Sequence, residues 1–329
     1  MISAVRIARI ALVLGSLLAV ATAPAASETR PRSLILFNGA PNVESKLGVV
    51  GPDRKGRRIL SYEYSAVAWS PDGRQILAYG GPTGLAILDD RGQVVRALPM
   101  SHGFLLNVAW SPDGRWIAGL VSRCPSPLPF CADLRIVSVD GSEDRLLSDA
   151  GVLDLGRGVQ FDWSPDGHRI AFSGSPTSAL DGEPSYKGLA IVSITGGKLT
   201  FPAFRGAAEP SWAPRGGRIA FSRDHNLYSA RPDGTKLRLL EHGNDWFEPS
   251  WSPDGRRIVY RQGGVYVLDV SRRRVVRIRQ SGWPAVWSPN GARLAWDRFY
   301  QGTDYIFVGR ADGRGTPRPL TWGRVADWR

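Results

Sequence analysis

The chain has 329 residues, 43% of them hydrophobic, and carries a formal net charge of +12. That apolar fraction supplies a globular core and excludes a multi-span membrane protein. The 38 glycines and 24 prolines, set between short apolar runs, predict many turns and short strands.

Residues 1–26 differ from the rest. Arg6 and Arg9 precede an apolar run from Ile10 to Val20, and Ala23-Pro24-Ala25 supplies small residues at its end. This is the pattern of a cleaved secretory signal peptide, short for a membrane span of about 20 apolar residues. An uncleaved N-terminal anchor is the alternative. Residues 27–32 read as a short linker and residues 33–329 as one domain. No Cys follows the apolar run, which argues against a lipid anchor. No later segment has the length of a membrane span, so the mature chain is expected to be exported, periplasmic or secreted, with no transmembrane segment. Arg6 and Arg9 account for two of the positive charges, leaving +10 after cleavage. For an exported protein that charge points to anionic envelope polymers or lipid headgroups, not to nucleic acid.

Three short strand-like segments follow: Ser33–Phe37, then Leu47–Val50 leading into the turn Gly51–Gly56, then Arg57–Leu60. Beyond them a motif recurs six times. Trp69-Ser-Pro-Asp-Gly73, Trp110-Ser-Pro-Asp-Gly114, Trp163-Ser-Pro-Asp-Gly167, Trp212-Ala-Pro-Arg-Gly216, Trp251-Ser-Pro-Asp-Gly255 and Trp287-Ser-Pro-Asn-Gly291 are spaced 41, 53, 49, 39 and 36 residues apart. Ser opens a β-turn, Pro presets φ at its second position, Asp suits the third, and Gly accepts the left-handed conformation before the next strand. A segment of the type Arg-x-Ile-Ala-Phe follows as a half-buried strand. Third and fourth strands follow in most copies, as in Val265–Val270 and Lys236–Leu240. Four strands per copy is the size of one propeller blade.

Arg324-Val-Ala-Asp-Trp328 resembles the start of a seventh copy, 41 residues after Trp287. Its missing strands match Ser33–Leu60 in order. The fold expected is therefore all-β, a single β-propeller of four-stranded blades. It has seven blades, the seventh shared by both chain ends, or six if the terminal match is accidental. A shared blade closes the ring and removes two open sheet edges.

These units resemble the TolB-type propeller repeat, a WD-like family, over nearly all of residues 33–329. The resemblance implies a periplasmic or secreted protein-interaction scaffold. TolB itself adds an N-terminal α/β domain, for which too few residues lie between the leader and the first repeat, so a Tol–Pal role is not carried over. Propellers that cap prolyl-oligopeptidase-type peptidases need a hydrolase domain, for which no residues remain after Arg329.

No nucleophile elbow, His-Glu-x-x-His, phosphate loop or dinucleotide fingerprint is present. His168 follows a repeat turn and reads as surface. His102, His225 and His242 are expected in loops of one face, where a His-based lyase site is conceivable by analogy with some bacterial propellers. The expected function is a non-catalytic scaffold binding a protein or an envelope glycan, without a cofactor. The alternative is a propeller lyase or hydrolase acting at the channel mouth. Cys124 and Cys131 share one loop and are expected to form a disulfide in an oxidising compartment. With no His nearby they make an unsuitable structural zinc site, and no metal is expected.

Propeller connections alternate between two faces. The Ser-Pro-Asp-Gly turns and the third-to-fourth strand turns share one. The blade links and the second-to-third strand loops share the other, with long loops expected at 37–46, 122–133, 147–160, 173–188, 241–249 and 297–305. Function concentrates on such loops. The expected partner site is Tyr186, His242, Asp245, Trp246, Phe247, Glu248, Trp283 and Tyr300, with Phe299 and Trp322 beside them. On the turn face, blades five to seven supply a basic patch of Arg54, Lys55, Arg57, Arg58, Arg272, Arg273, Arg274 and Arg314. This patch is expected to meet an anionic surface.

Overall fold

The computed structural model describes residues 33–40, 43–98, 105–122, 131–152, 161–174, 188–196, 200, 204–215, 217–245, 247–279, 282, 285–300 and 303–329, with backbone alone at some strand ends. The signal peptide and linker expected over residues 1–32 lie outside them.

The strands follow the repeat. The first three are β1 (Ile35–Ala40), β2 (Val43–Val50) and β3 (Arg58–Ser61). Blade one holds β4 (Tyr64–Trp69), β5 (Gln75–Gly80), β6 (Gly84–Asp89) and β7 (Val94–Ala97). Blade two holds β8 (Leu105–Trp110), β9 (Trp116–Ser122), β10 (Cys131–Ser138) and β11 (Asp144–Val152). Blade three holds β12 (Phe161–Trp163), β13 (Arg169–Gly174) and β14 (Gly188–Ser193), with an isolated bridge from Ile191 to Thr200 marking its outer edge. Blade four holds β15 (Ala207–Trp212), β16 (Ile219–Arg223), β17 (Asn226–Ala230) and β18 (Arg238–His242). Blade five holds β19 (Ser250–Trp251), β20 (Arg257–Arg261), β21 (Val265–Asp269) and β22 (Arg274–Arg279). Blade six holds β23 (Val286–Trp287), β24 (Arg293–Tyr300), β25 (Thr303–Arg310) and β26 (Arg318–Trp322). Last comes β27 (Arg324–Trp328), which pairs with β1 to give the sheet order β27-β1-β2-β3.

The protein is therefore all-β, with seven blades, the seventh closed by strands from both chain ends. The motif Trp stands at the end of each innermost strand. The indoles of Trp163, Trp251 and Trp287 donate to the carbonyls of Ala109, Ser211 and Ser250 in the preceding blade, at 3.4, 3.2 and 3.1 Å. The core lies between blades. Leu77, Leu85 and Ile87 of blade one, for example, pack on Val108, Trp110 and Ile117 of blade two.

The repeat turn is a self-contained hydrogen-bond unit. In blade five, Ser252 Oγ donates to Asp254 Oδ1 at 2.6 Å and accepts from the Arg257 N–H at 2.9 Å, and the Gly255 N–H returns to the Ser252 carbonyl at 2.8 Å. Gly255 has φ of 67°, a conformation that side chains with a Cβ rarely adopt. Ser252 is fully buried, so Ser252→Ala strands an amide N–H and should cost about 1–3 kcal/mol. Urea unfolding measures this, and an intact fold is expected because blade four already has Ala213 at this place. An unchanged midpoint would show that the hydroxyl adds nothing to the turn.

Two loops expected to be long are hairpins instead. β24 and β25 pair continuously from Arg293↔Arg310 to Tyr300↔Thr303, across the span expected to be a loop over 297–305. β1 and β2 likewise extend to the pair Ala40↔Val43, within the expected loop over 37–46. Polar residues such as Asp297 and Asn38 made these strand ends resemble loops, but their side chains bond to the neighbouring blade.

Candidate functional site

On the face of the blade links and the second-to-third strand hairpins, polar side chains clasp the start of the next innermost strand. Asn38 of β1 holds both the carbonyl and the N–H of Ala66. Ser173 of β13 accepts from the Glu209 N–H at 3.0 Å, and Asp297 of β24 accepts from the Val325 N–H at 3.1 Å. Blade four departs from this pattern. A register shift between Ala208 and Ser211 bulges β15 and leaves Glu209 at φ of 57°. The bulge turns the Glu209 carboxylate onto the Glu248 N–H of blade five, at 2.9 Å. The Ser222 hydroxyl, which stands where Ser173 stands in blade three, is left with no hydrogen-bond partner.

These carboxylates have displaced proton affinities. Burial is the main cause at Glu209, with the Glu248 charge adding to it; against the two amide N–H bonds, they push its carboxyl up to about 7. Burial likewise raises Glu248, partly offset by Arg261 at 3.1 Å. Asp297 is pushed up to about 6, first by burial and then by the charge of Asp304, which pairs with Arg324 at 2.7 Å. Nearer the opposite end of the innermost strands, Asp162 and Asp327 each precede a motif Trp and accept the backbone N–H of the next blade's Trp212 and Trp69, at 2.6 and 2.9 Å. Burial raises both, Asp162 to about 7. Among the described residues no three His, Cys, Asp or Glu side chains are grouped to hold a metal ion.

The residues of the expected partner site have different fates. Phe247 is fully buried, its ring 5.2 Å from that of Tyr260, in space left open by Gly243; it fills blade five and cannot serve as an exposed contact. Glu248 is half-buried and tied to Arg261. Asp245 lies close enough to raise the Glu248 carboxyl. His242 is exposed at the end of β18 and meets Asn226 Oδ1 at 3.1 Å. Tyr186, Trp246 and Trp283 lie outside the described residues, as does the side chain of Tyr300. Cys124 lies outside them too, and Cys131 is described only as a backbone position in β10, so the expected bridge is not among the described features. His225 and His168 are both exposed, and His102 lies outside the described residues.

Sequence reasoning missed two aromatics. Among the described residues the large exposed aromatic side chains are Phe299, 68% exposed, Tyr62, 63%, and Tyr79, 40%. Phe299 stands at the tip of the β24–β25 hairpin, Tyr62 in the link from blade seven to blade one, and Tyr79 beside the β5–β6 connection. Strand alternation places all three on the loop face. Tyr79 in Gln75–Gly80 has the composition of an ordinary packed strand, so nothing local in the sequence marks it as exposed.

On the turn face the expected basic residues are also of two kinds. Arg57 stacks on Trp322 at 4.3 Å and bonds to Thr321, and Arg272 pairs with Asp269 at 3.3 Å. Lys55, Arg58, Arg273, Arg274 and Arg314 are exposed. Arg54 bridges from blade seven to the Pro319 carbonyl of blade six, its Nε at 3.0 Å.

The solved structures that share this architecture include TolB from Acinetobacter baumannii, at 15% identity over 90% of this chain, with a TM-score of 0.53. This is a TolB-like propeller fold. The propeller spans 66% of the Acinetobacter protein's length. A putative TolB from Agrobacterium tumefaciens aligns at 19% identity over 89% of this chain and 91% of its own, with a TM-score of 0.50. An oligogalacturonate lyase in complex with manganese aligns at 15% identity over 88% of this chain and 84% of its own, with a TM-score of 0.59. No family model matches the chain, and no curated protein matches it. At these identities the likeness is one of fold, and the same fold carries both TolB and a lyase. No helix among the described residues is long and apolar enough to cross a membrane.

Proposed function

We propose that the propeller is an exported, non-catalytic scaffold that binds a protein or an envelope glycan through its loop face. The observation that carries this reading is the placement of Tyr62, Tyr79 and Phe299, all exposed and all on that face. Aromatic side chains on a rigid frame give large contact area at low entropic cost, and few of them carry most of an interface's affinity. The acidic groups nearby support the same reading. Glu209 and Asp297 have the raised proton affinities of catalytic acids, yet each is committed to a backbone N–H of the next blade. An exported location is proposed from the leader pattern of residues 1–26, together with a bridge between Cys124 and Cys131. The exposed arginines of blades five to seven supply a salt-sensitive attraction to an anionic envelope surface.

Replacing Tyr79 and Phe299 by Ala tests the scaffold reading in one variant, and replacing Trp246 and Trp283 tests it in another. Capture of partners from envelope extract should fall about tenfold or more in at least one variant, as loss of interface anchors does. Thermal unfolding of the Tyr79 and Phe299 variant should stay near wild type, since both residues are exposed. Undiminished capture in both variants would move the site elsewhere. Turnover of oligogalacturonate, followed by the absorbance of the unsaturated product, would overturn the scaffold reading in favour of a propeller lyase.

A further inference from the structure

Between the outer turns of blades six and seven lies a cleft of ≈ 560 Å³. That volume suits a small-molecule ligand of a few rings or phosphate groups. Its walls come from three stretches of chain: Pro52–Arg54 of the β2–β3 turn, Arg293 at the start of β24, and the end of β25 through the turn into β26. Five arginines line it, Arg54, Arg293, Arg310, Arg314 and Arg318, against one aspartate, Asp53. Val308, Leu320 and Pro319 add apolar lining.

The arginines divide by what they already hold. Arg54 is fixed against the Pro319 carbonyl, and it keeps a left-handed backbone, φ 70°, that a Gly or Asn would adopt at less cost. Arg310 is committed to Asp312 through two nitrogens, Nε at 3.0 Å and Nη2 at 2.6 Å. Asp53 caps the Lys55 N–H at 3.1 Å within its own turn. Arg293, Arg314 and Arg318 are exposed, and no hydrogen bond or ion pair holds their guanidinium groups among the described residues. Three cations with no hydrogen-bond partner for their guanidinium groups among the described residues, Arg314 also lying within the field of Asp312, thus share one concave, partly apolar site with two anchored ones. Like charges gathered this way repel, and an anion seated among them relieves that repulsion.

We propose that this cleft between blades six and seven binds a phosphate-bearing ligand. Phosphate is favoured over carboxylate because the free donors converge from two chain segments, Arg293 from β24 and Arg314 and Arg318 from the β25–β26 turn and the start of β26, with the anchored Arg54 on a third side. A planar carboxylate is matched by one or two guanidinium forks in its plane, whereas phosphate oxygens spread in three dimensions and accept from several sides. This deepens the turn-face part of the reading above, from a diffuse charged surface to a discrete pocket, and is independent of the aromatic loop face. The phosphate is supplied by a soluble ligand or by a lipid headgroup, and the two sources separate experimentally.

The test uses the full mature chain, a cleft variant R293Q/R314Q/R318Q and a blade-five variant R273Q/R274Q. All substituted residues are exposed, so unfolding midpoints should match wild type. The probes are inorganic pyrophosphate by calorimetry and phosphatidylglycerol vesicles by cosedimentation, with citrate as the carboxylate control. At least one phosphate probe should bind wild type and the blade-five variant alike, and bind the cleft variant about tenfold or more weakly, as loss of charge-assisted bonds implies. Loss confined to pyrophosphate assigns a soluble ligand, and loss confined to vesicles assigns a headgroup. The proposal is overturned if neither probe binds, if neither loses affinity in the cleft variant, or if the loss appears equally in the blade-five variant. Cleft-dependent binding of citrate as strong as that of pyrophosphate would overturn the assignment to phosphate.

Discussion

Deleting Arg324–Arg329 should abolish cooperative folding. β27 is the innermost strand of blade seven, and it carries the backbone pairing that joins the two ends of the chain. It pairs with β1 from Ile35↔Trp328 to Asn38↔Arg324, and Leu34 and Arg329 exchange a further pair of backbone hydrogen bonds at 2.9 and 3.0 Å. The Trp328 indole, largely buried, donates to Ser33 Oγ at 2.7 Å. Asp327 takes the Trp69 N–H of blade one, and the Arg329 guanidinium lies 3.8 Å over the Trp69 ring. Without the strand, β1 becomes an open edge and β4 loses one of the strands that cover it. The milder change Trp328→Ala keeps the backbone ladder but empties the space between blades six and seven. It should cost about 3–5 kcal/mol, a large part of the 5–15 kcal/mol typical of a domain. Urea unfolding followed by circular dichroism reads both. A deletion variant that unfolds at the wild-type midpoint would show that the ring does not depend on this closure.

Stability should fall as pH rises from about 4 to about 7, the opposite of the usual contribution from paired carboxylates. Asp162 and Glu209 ionise at about 7 in the folded chain and Asp297 at about 6, mainly because burial disfavours their charge. In the unfolded chain such groups ionise near 4. Across that window the folded state binds more protons, so raising the pH favours unfolding until each folded value is passed. The limit is about 1.4 kcal/mol per group per pH unit. The aspartates of the repeat turns act in the other direction. At Asp254, burial opposes ionisation, but the Ser252 hydroxyl, the Arg256 N–H and two arginines hold the carboxyl below its usual range. Asp166 is lowered first by its Ser164 hydroxyl, and in the turn between β10 and β11 Asp140 is lowered to about 2 by the hydroxyls of Ser138 and Ser142. Those groups add stability above about pH 4 that is lost as the pH falls toward their folded values. The combined profile should peak in mildly acidic solution. Asp162→Asn keeps an oxygen for the Trp212 N–H and removes the titration, so its urea midpoint should fall less than that of wild type between pH 4.5 and 7.5. A wild-type midpoint that climbs steadily over the same range would contradict the assignment.

Part of the candidate site was legible in the residues and part was not. The loop face as the place of varied connections, and Phe299 on it, follow from strand alternation and from a hydrophobic residue in a polar stretch. Phe247 misleads because an aromatic between Asp245 and Glu248 has the look of an exposed contact. Its burial depends on Gly243 and Tyr260, and on a ring-sized gap that no local pattern announces. Glu209 gives no signal at all, since Ala-Ala-Glu-Pro-Ser-Trp reads as a plain strand. Only the bulge in β15 directs its carboxylate onto the next blade.

By itself the sequence determined a propeller of repeated four-stranded units and pointed to a seventh blade shared by both chain ends; the pairing of β27 with β1 decided seven blades over six. The repeat turn is built within six consecutive residues by the hydroxyl, ring and carboxylate they carry, so its chemistry is written locally and survives translation along the chain. Only the tertiary structure decided which aromatics face solvent, which carboxylates clasp the next blade and which arginines share a cleft. Arg54 and Pro319 are 265 residues apart and touch only because the ring closes. Contacts between blades join segments with no fixed spacing in sequence, and their burial and charge depend on the neighbouring blade rather than on the residues beside them in the chain.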